Sequence, residues 1–222
     1  MINSTTHQAG WTLVEMAMVF IVITILVGGI LKANEMITNT KLKKIKGSAM
    51  GLIAAKNLYY DRYRQFPGDD PDASDHFSIY SGMPEINGDG DGIVGDGTDW
   101  DVDEATPLAY GEQETLKFFM HLRAAKFIAG NPLDQNRPNH TLGDGGEIGV
   151  QDGSLEMYNP VIIFSNIDGS YIRILDTWHD DGDLSSGNVR GAAVGDGMDS
   201  SDTPSNAIIQ EEKYHMAWEM PG

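Results

Sequence analysis

The sequence predicts an α+β chain: one long N-terminal helix, packed through its second half on a small antiparallel sheet, with acidic loops around the edge. Three observations carry this expectation. An apolar run from Trp11 to Leu31 passes without a break into a stretch whose apolar residues recur at helical spacing. Short β-rich runs come only much later, at Val161–Phe164 and Tyr171–Leu175. Around them the chain is dense in Asp-Gly pairs, with 26 glycines in 222 residues, which favours turns over further regular structure.

The apolar run comes first. Trp11 to Leu31 carries one charge, Glu15. At about 1.5 Å per residue it spans roughly 30 Å, enough to cross a bilayer. Leu31-Lys32-Ala33 after it is no small-x-small cleavage site, so a secretory peptide cut there is a poor fit. Beyond it, Leu42, Ile45, Ala49 and Leu52, and two turns later Tyr59 and Tyr63, recur at helical spacing, with Ile53 beside them and Lys41, Lys43, Lys44 and Lys46 among them. One seam is therefore apolar and the other faces are wet. Gly47 and Gly51 weaken this helix locally, Gly28-Gly29 is a place where it can loosen on packing, and Pro67-Gly68 is expected to end it.

After Pro67 the character changes. Residues 67–106, rich in Asp, Gly and Pro, are expected to form a long ordered loop region rather than core. Glu112 to Ala129 reads as an amphipathic helix with Leu116, Phe119, Met120, Phe127 and Ile128 on its apolar face, stopped by Gly130-Asn131-Pro132. Val161–Phe164 and Tyr171–Leu175 are expected to pair as a hairpin through Asn166-Ile-Asp-Gly169. The last fifty residues read as Gly/Asp/Ser loops with a short apolar patch at Ala207–Ile209.

Charge and composition exclude several functions. The net charge of −18 is unevenly spread: the chain is net basic up to Phe66 and strongly acidic from Pro67 onward. So acidic a head is repelled by phosphate backbones, and no nucleic acid is expected there. The absence of cysteine excludes disulfides, thiolate catalysis and Cys-based metal sites together. Gly90-x-Gly92-x-x-Gly95 formally matches a dinucleotide fingerprint, but its Asp neighbours would repel a pyrophosphate and no strand precedes it. No nucleophile elbow, zincin motif or Walker loop is present, and His121 is expected to be structural.

The most specific segment is Gly10-Trp11-Thr12-Leu13-Val14-Glu15, running straight into the apolar run. It resembles the signature of type IV pilins and type II secretion pseudopilins, at which a prepilin peptidase cuts after the Gly and methylates the new N-terminus. Trp11 stands where the family usually has Phe, and the leader lacks the usual basic residues. The resemblance implies a leader over residues 1–10, a helix over 11–66 and an extracytoplasmic head over 67–222. Within the helix, 11–31 would be the transmembrane half and 32–66 the amphipathic half. It further implies a pilin-like fold, cleavage between Gly10 and Trp11, and a subunit held single-pass in the inner membrane before it self-associates into a periplasmic or extracellular filament. Glu15 then has a physical role. A lone carboxylate among apolar residues is costly in hydrocarbon, and the cleaved α-amine of a neighbouring subunit would compensate it and set the axial register. The plain alternative is a membrane glutamate near a helix end, reaching toward headgroups.

Two acidic stretches have the chemistry of cation sites. Asn87, Asp89 and Asp91 alternate before Gly92, and Asp96 and Asp99 follow. Hard oxygen ligands at alternate positions, then a Gly for the sharp turn, is how a loop wraps Ca²⁺, although Thr98 stands where an EF-hand has its bidentate Glu. The second candidate is Asp176, Asp180, Asp181 and Asp183, ahead of Ser185-Ser-Gly-Asn-Val189; it resembles an Asp-Asp-Gly…Gly-x-Val stretch near the end of some pilin-like proteins. Gly195–Asp199 is a further ligand loop or a linker. Against each stands a solvated acidic turn. Two functions follow as expectations: a structural, non-enzymatic filament subunit with structural Ca²⁺, or a membrane-anchored extracytoplasmic calcium-binding module or enzyme.

Overall fold

The computed structural model describes residues 10–95, 113–140, 146–194, 202–206 and 212–220. The chain is α+β and divides into two compact units, Met1–Lys41 and Leu42–Gly222. Helix α1, Leu13–Tyr63, supplies residues to both.

In the first unit α1 is exposed all round from Leu13 to Leu31, where Glu15 is its one charge. Leu13, Phe20, Ile21, Leu26 and Leu31 are each more than half exposed. Its most apolar stretch has a mean hydropathy of 2.5, and the helix is long and apolar enough to cross a membrane. The hydroxyl of Thr24 donates to Phe20 O at 2.8 Å, so this polar group is satisfied within the helix, as a water-free surrounding requires. Gly28 and Gly29 do not interrupt the helix.

In the second unit the same helix becomes one wall of a core. Leu42, Ile45, Ala49, Leu52, Lys56 and Tyr59 are buried, at alternating spacings of three and four residues. The seam read from the sequence is therefore present, with Lys56 occupying its one polar place. The Lys56 ammonium lies 5.7 Å from the centre of the Phe66 ring, and burial pushes its pKa down while Asp152 opposes the shift. The helix stops earlier than Pro67-Gly68 suggested. Arg64 takes a left-handed conformation (φ 60°) and its N–H donates to Tyr60 O at 2.8 Å, closing the last turn.

The region after Pro67 is not merely loop. Short helix α2 (Ala73–His76) and 3₁₀ turns at Ser78–Tyr80 and Pro84–Ile86 place Phe77, Tyr80, Ile86 and Val94 in the main core. Helix α3 covers Glu114–Ala124, shorter than the predicted Glu112–Ala129, because Lys126 turns left-handed (φ 63°). Nor is it amphipathic: Glu114, Lys117, His121 and Arg123 are buried along with its apolar residues.

The sheet has four antiparallel strands in the order β1-β2-β4-β3, with β1 Ile148–Ser154, β2 Met157–Asp168, β3 Val189–Ala193 and β4 Lys213–Glu219. Ile148, Val150, Ile162, Phe164, Val189, Met216 and Trp218 point to the main core, and Leu155, Met157, Val161, Ile163, Ala192 and Ala217 form a smaller cluster. The expected hairpin is wrong in its second half. Val161–Phe164 lies in β2, but Tyr171–Leu175 belongs to helix α4, Gly169–His179. Ile172, Leu175 and Asp176 are buried at three- and four-residue spacing, and this helical face prevails over the β propensity of the run. Asn166 (φ 56°) marks a register shift in the β2–β4 pairing rather than a turn. Two strands, β3 and β4, occupy the segment read as loops; Ala207–Ile209 lies outside the described residues.

Candidate functional site

At the N-terminus, Gly10 and Trp11 are exposed and precede α1. Glu15 Oε2 accepts from the Thr12 N–H at 2.9 Å and from the Thr12 hydroxyl at 2.7 Å, while the Glu15 N–H donates to Thr12 Oγ1 at 3.2 Å. This is a reciprocal capping box, and it uses the same carboxylate that the motif singles out.

The first acidic loop is organised by carboxylates that mostly come from outside it. The N–H of Asp89 donates to Glu114 Oε1 (3.0 Å), Gly90 to Asp69 Oδ1 (2.7 Å), Asp91 to Asp89 Oδ1 (3.0 Å) and Gly92 to Asp69 Oδ2 (3.0 Å). Those of Ile93, Val94 and Gly95 donate to Asp91 Oδ1 (2.8 Å), Asp152 Oδ2 (2.5 Å) and Glu114 Oε2 (3.2 Å). Every backbone donor from Asp89 to Gly95 thus meets a carboxylate. The chain folds this tightly because Gly88 has no side chain: a Cβ there would come within 2.3 Å of the Asp69 carbonyl carbon.

One oxygen each from Asp69, Asp91 and Glu114 lie within 4.8 Å of one another. Burial is the main cause raising Asp69 to about 6 and Glu114 to about 7, with the accepted N–H groups opposing and neighbouring carboxylates adding to the rise. Of the ligands read from the sequence, only Asp91 joins this cluster. Asn87 faces away, its Oδ1 accepting from the Ser74 N–H at 2.8 Å and its Nδ2 donating to Ser74 Oγ at 3.1 Å. Asp89 holds the Asp91 N–H, and Asp96 and Asp99 lie outside the described residues. Asp69, Glu114 and Asp152 were missed because they are distant in sequence; the Asp69-Asp70 pair between Gly68 and Pro71 was the one local hint.

Beside this loop lies a polar core. Buried Asp70 accepts from the Tyr59 hydroxyl at 2.6 Å, from the Asp72 N–H at 2.9 Å, and pairs with His76 Nδ1 at 2.8 Å. His121 is fully buried; its Nδ1 accepts from the Gly68 N–H and its Nε2–H donates to Ile86 O, both at 3.0 Å. That pair of bonds fixes the neutral tautomer, and burial lowers its pKa to about 4. His121 is therefore a clasp between two loops, the structural role expected of it.

The second acidic stretch forms the turn from α4 to β3. Asp180 Oδ2 accepts from the Asn188 N–H and, at 2.8 Å, from the Val189 N–H. Asp181 Oδ1 accepts from the Asp183 N–H at 2.8 Å, and its Oδ2 from the Ser186 hydroxyl at 2.7 Å. Asp183 turns away to Ser185, accepting from its N–H at 3.0 Å and its hydroxyl at 2.6 Å. Oxygens of Asp176, Asp180 and Asp181 lie within 4.8 Å of one another. Asp176 is fully buried and raised to about 6, chiefly by burial, then by the charges of Asp180 and Asp181. The backbone N–H of Gly182 opposes the rise. Residues 195–199 lie outside the described residues. No family model, curated protein or solved structure significantly matches this chain.

Proposed function

We propose that this chain is a structural subunit of a type IV pilus or type II secretion pseudopilus, with the pilin-like arrangement of helix and head that such a role needs. On this reading a prepilin peptidase cuts between Gly10 and Trp11. The apolar half of α1 holds the subunit in the inner membrane and then packs with its copies in the core of a periplasmic or extracellular filament. The acidic head contacts solvent and binds no nucleic acid.

The observation that carries the reading is the placement of Glu15. It sits in the first turn of a helix otherwise apolar and exposed from Leu13 to Leu31, directly after Gly10-Trp11-Thr12. On insertion scales an acidic residue at a helix centre costs about 3 kcal/mol, so the carboxylate needs a partner. Thr12 supplies a neutral one within the chain. The α-amine created at Trp11 of a neighbour would supply a charged one, and assembly would exchange the first for the second.

The acidic clusters favour one rival, a membrane-anchored extracytoplasmic calcium-binding module or enzyme. The two readings part on processing and polymerisation: the rival keeps its N-terminus uncut and stays monomeric. Mass spectrometry of the N-terminus together with electron microscopy of sheared cell-surface material separates them.

A further inference from the structure

We propose that Asn87-Gly88, Asp89-Gly90 and Asp91-Gly92 are three sites of spontaneous succinimide chemistry, and that Asp69-Asp70 holds all three closed in the folded chain. The first acidic loop is then a one-way latch: once it opens for long enough to react, it does not reclose. This is independent of the filament reading and stands whether or not the chain polymerises.

An Asn or Asp followed by Gly is the least shielded place in a chain for this reaction, because no Cβ hinders the glycine nitrogen. That nitrogen attacks Cγ of the preceding side chain and closes a five-membered ring. Ammonia leaves from Asn, or water from Asp, taking the proton that the nitrogen gives up. Water then opens the ring, at Cγ to give Asp or at the main-chain carbonyl to give a β-linked isoaspartate. The loop holds three such steps between Asn87 and Gly92. In the fold each attacking nitrogen is already committed. The Gly88 N–H donates to Asp70 O at 3.0 Å, that of Gly90 to Asp69 Oδ1 at 2.7 Å and that of Gly92 to Asp69 Oδ2 at 3.0 Å. The side chains under attack are committed as well. Asn87 is held at both ends by Ser74, and Asp89 and Asp91 each accept through Oδ1 from the N–H two residues on. Ring closure needs nitrogen and Cγ in a near-attack alignment, and here it must first break bonds on both partners.

Asp69 is the centre of the latch. It is buried, and its two oxygens are divided between two of the three glycine nitrogens, while the next residue's carbonyl takes the third. The same closeness makes the reaction one-way. Gly88 runs so near the Asp69 backbone and Gly68 O that even a Cβ has no room there. An isoaspartate at position 87 lengthens the main chain by a methylene at that point, and a close-packed interior does not absorb it. Conversion of Asn87 to Asp instead removes the donor to Ser74 Oγ. Either product opposes the closed loop, and the chain and water are the only reactants.

The test is incubation of the full chain in detergent micelles at mildly alkaline pH, beside the same chain unfolded in urea. Peptide mass mapping and enzymatic methylation of isoaspartate read the products. Folded wild type should stay intact over residues 87–92, while the urea-unfolded chain deamidates at Asn87. Asp69→Ala frees the Gly90 and Gly92 nitrogens and loosens the contact on Gly88. It should raise product over residues 87–92 about tenfold or more and leave the rate at Asp181-Gly182 unchanged. Ser74→Ala, which releases the Asn87 carboxamide nitrogen, should raise deamidation at Asn87 and keeps the test valid if Asp69→Ala misfolds. Chain purified after deamidation should melt lower than intact chain. A folded wild type that deamidates at Asn87 as fast as the chain in urea overturns the proposal. So do Asp69→Ala and Ser74→Ala that are both as inert as wild type, a rise in Asp69→Ala that is equal at Asp181-Gly182, or deamidated chain that melts with the intact chain.

Discussion

Thr12 holds the carboxylate of Glu15 at the start of α1 through both its N–H and its hydroxyl, and Glu15 returns a bond from its own N–H. Two jobs therefore fall on one residue: capping the helix and carrying the charge. They can be separated. Gln fills the same place in a capping box without a charge. Glu15→Gln should keep the first turn of α1, read by amide exchange in micelles, while lowering filament yield or disturbing helical register. Glu15→Leu removes the cap with the charge; it too should lower filament yield or disturb helical register, and it should insert into membranes more readily. Thr12→Val should have the reverse signature, fraying the first turn by about 1 kcal/mol while assembly persists. Normal filaments from both Glu15 variants would make the charge incidental.

His121 gives the head an acid limb. Its folded pKa of about 4 lies below the ordinary value of 6.5, so between these the unfolded chain binds the extra proton. The sign is that of a depressed group: its contribution is fully present above pH 6.5 and is lost as pH falls from 6.5 through 4. Protonating Nδ1 also ends its acceptance of the Gly68 N–H. The contribution is about 3 kcal/mol at neutral pH by the linkage relation. His121→Gln should flatten Tm against pH between 6.5 and 4 by about that amount. An acid limb as steep as the wild type's would place its cause elsewhere.

The hairpin between β1 and β2 turns on Leu155 and Glu156, both left-handed (φ 49° and 62°). Two such residues make a type I′ turn, which ordinarily asks for Asn-Gly. Leu155 is retained here because its side chain is fully buried in the smaller cluster. Glu156 is exposed and has no such compensation. Glu156→Gly should therefore stabilise the head by about 0.5–1 kcal/mol, and Leu155→Gly should destabilise it by about 2–5 kcal/mol. Thermal melts of the two variants shifting in the same direction would contradict this account of the turn.

The same hairpin explains part of what the sequence hides. A turn without Gly or Asn gives no local signal, so β1 and the entry to β2 were invisible, whereas the α1 seam was legible because its spacing persists over six buried positions from Leu42 to Tyr59. Tyr171–Leu175 satisfied strand and helix patterns alike, and only packing against the sheet decided it. At the acidic loop the sequence exposes Asp89 and Asp91 but cannot show that Asp69, Glu114 and Asp152 arrive from three other segments to hold its backbone. Asp176 was legible as a candidate ligand. That it is buried beside Asp180 and Asp181 is a property of the fold.

The filament reading is tested most directly by the intact mass of the chain recovered from sheared surface filaments or from the membrane fraction. Assembled material should hold a chain that begins at Trp11, unmodified or methylated, and precursor should accumulate in the membrane when Gly10 is replaced by a bulky residue. Filaments built from chain that retains Met1 would contradict it, as would a chain never cut after Gly10 and never found outside the membrane.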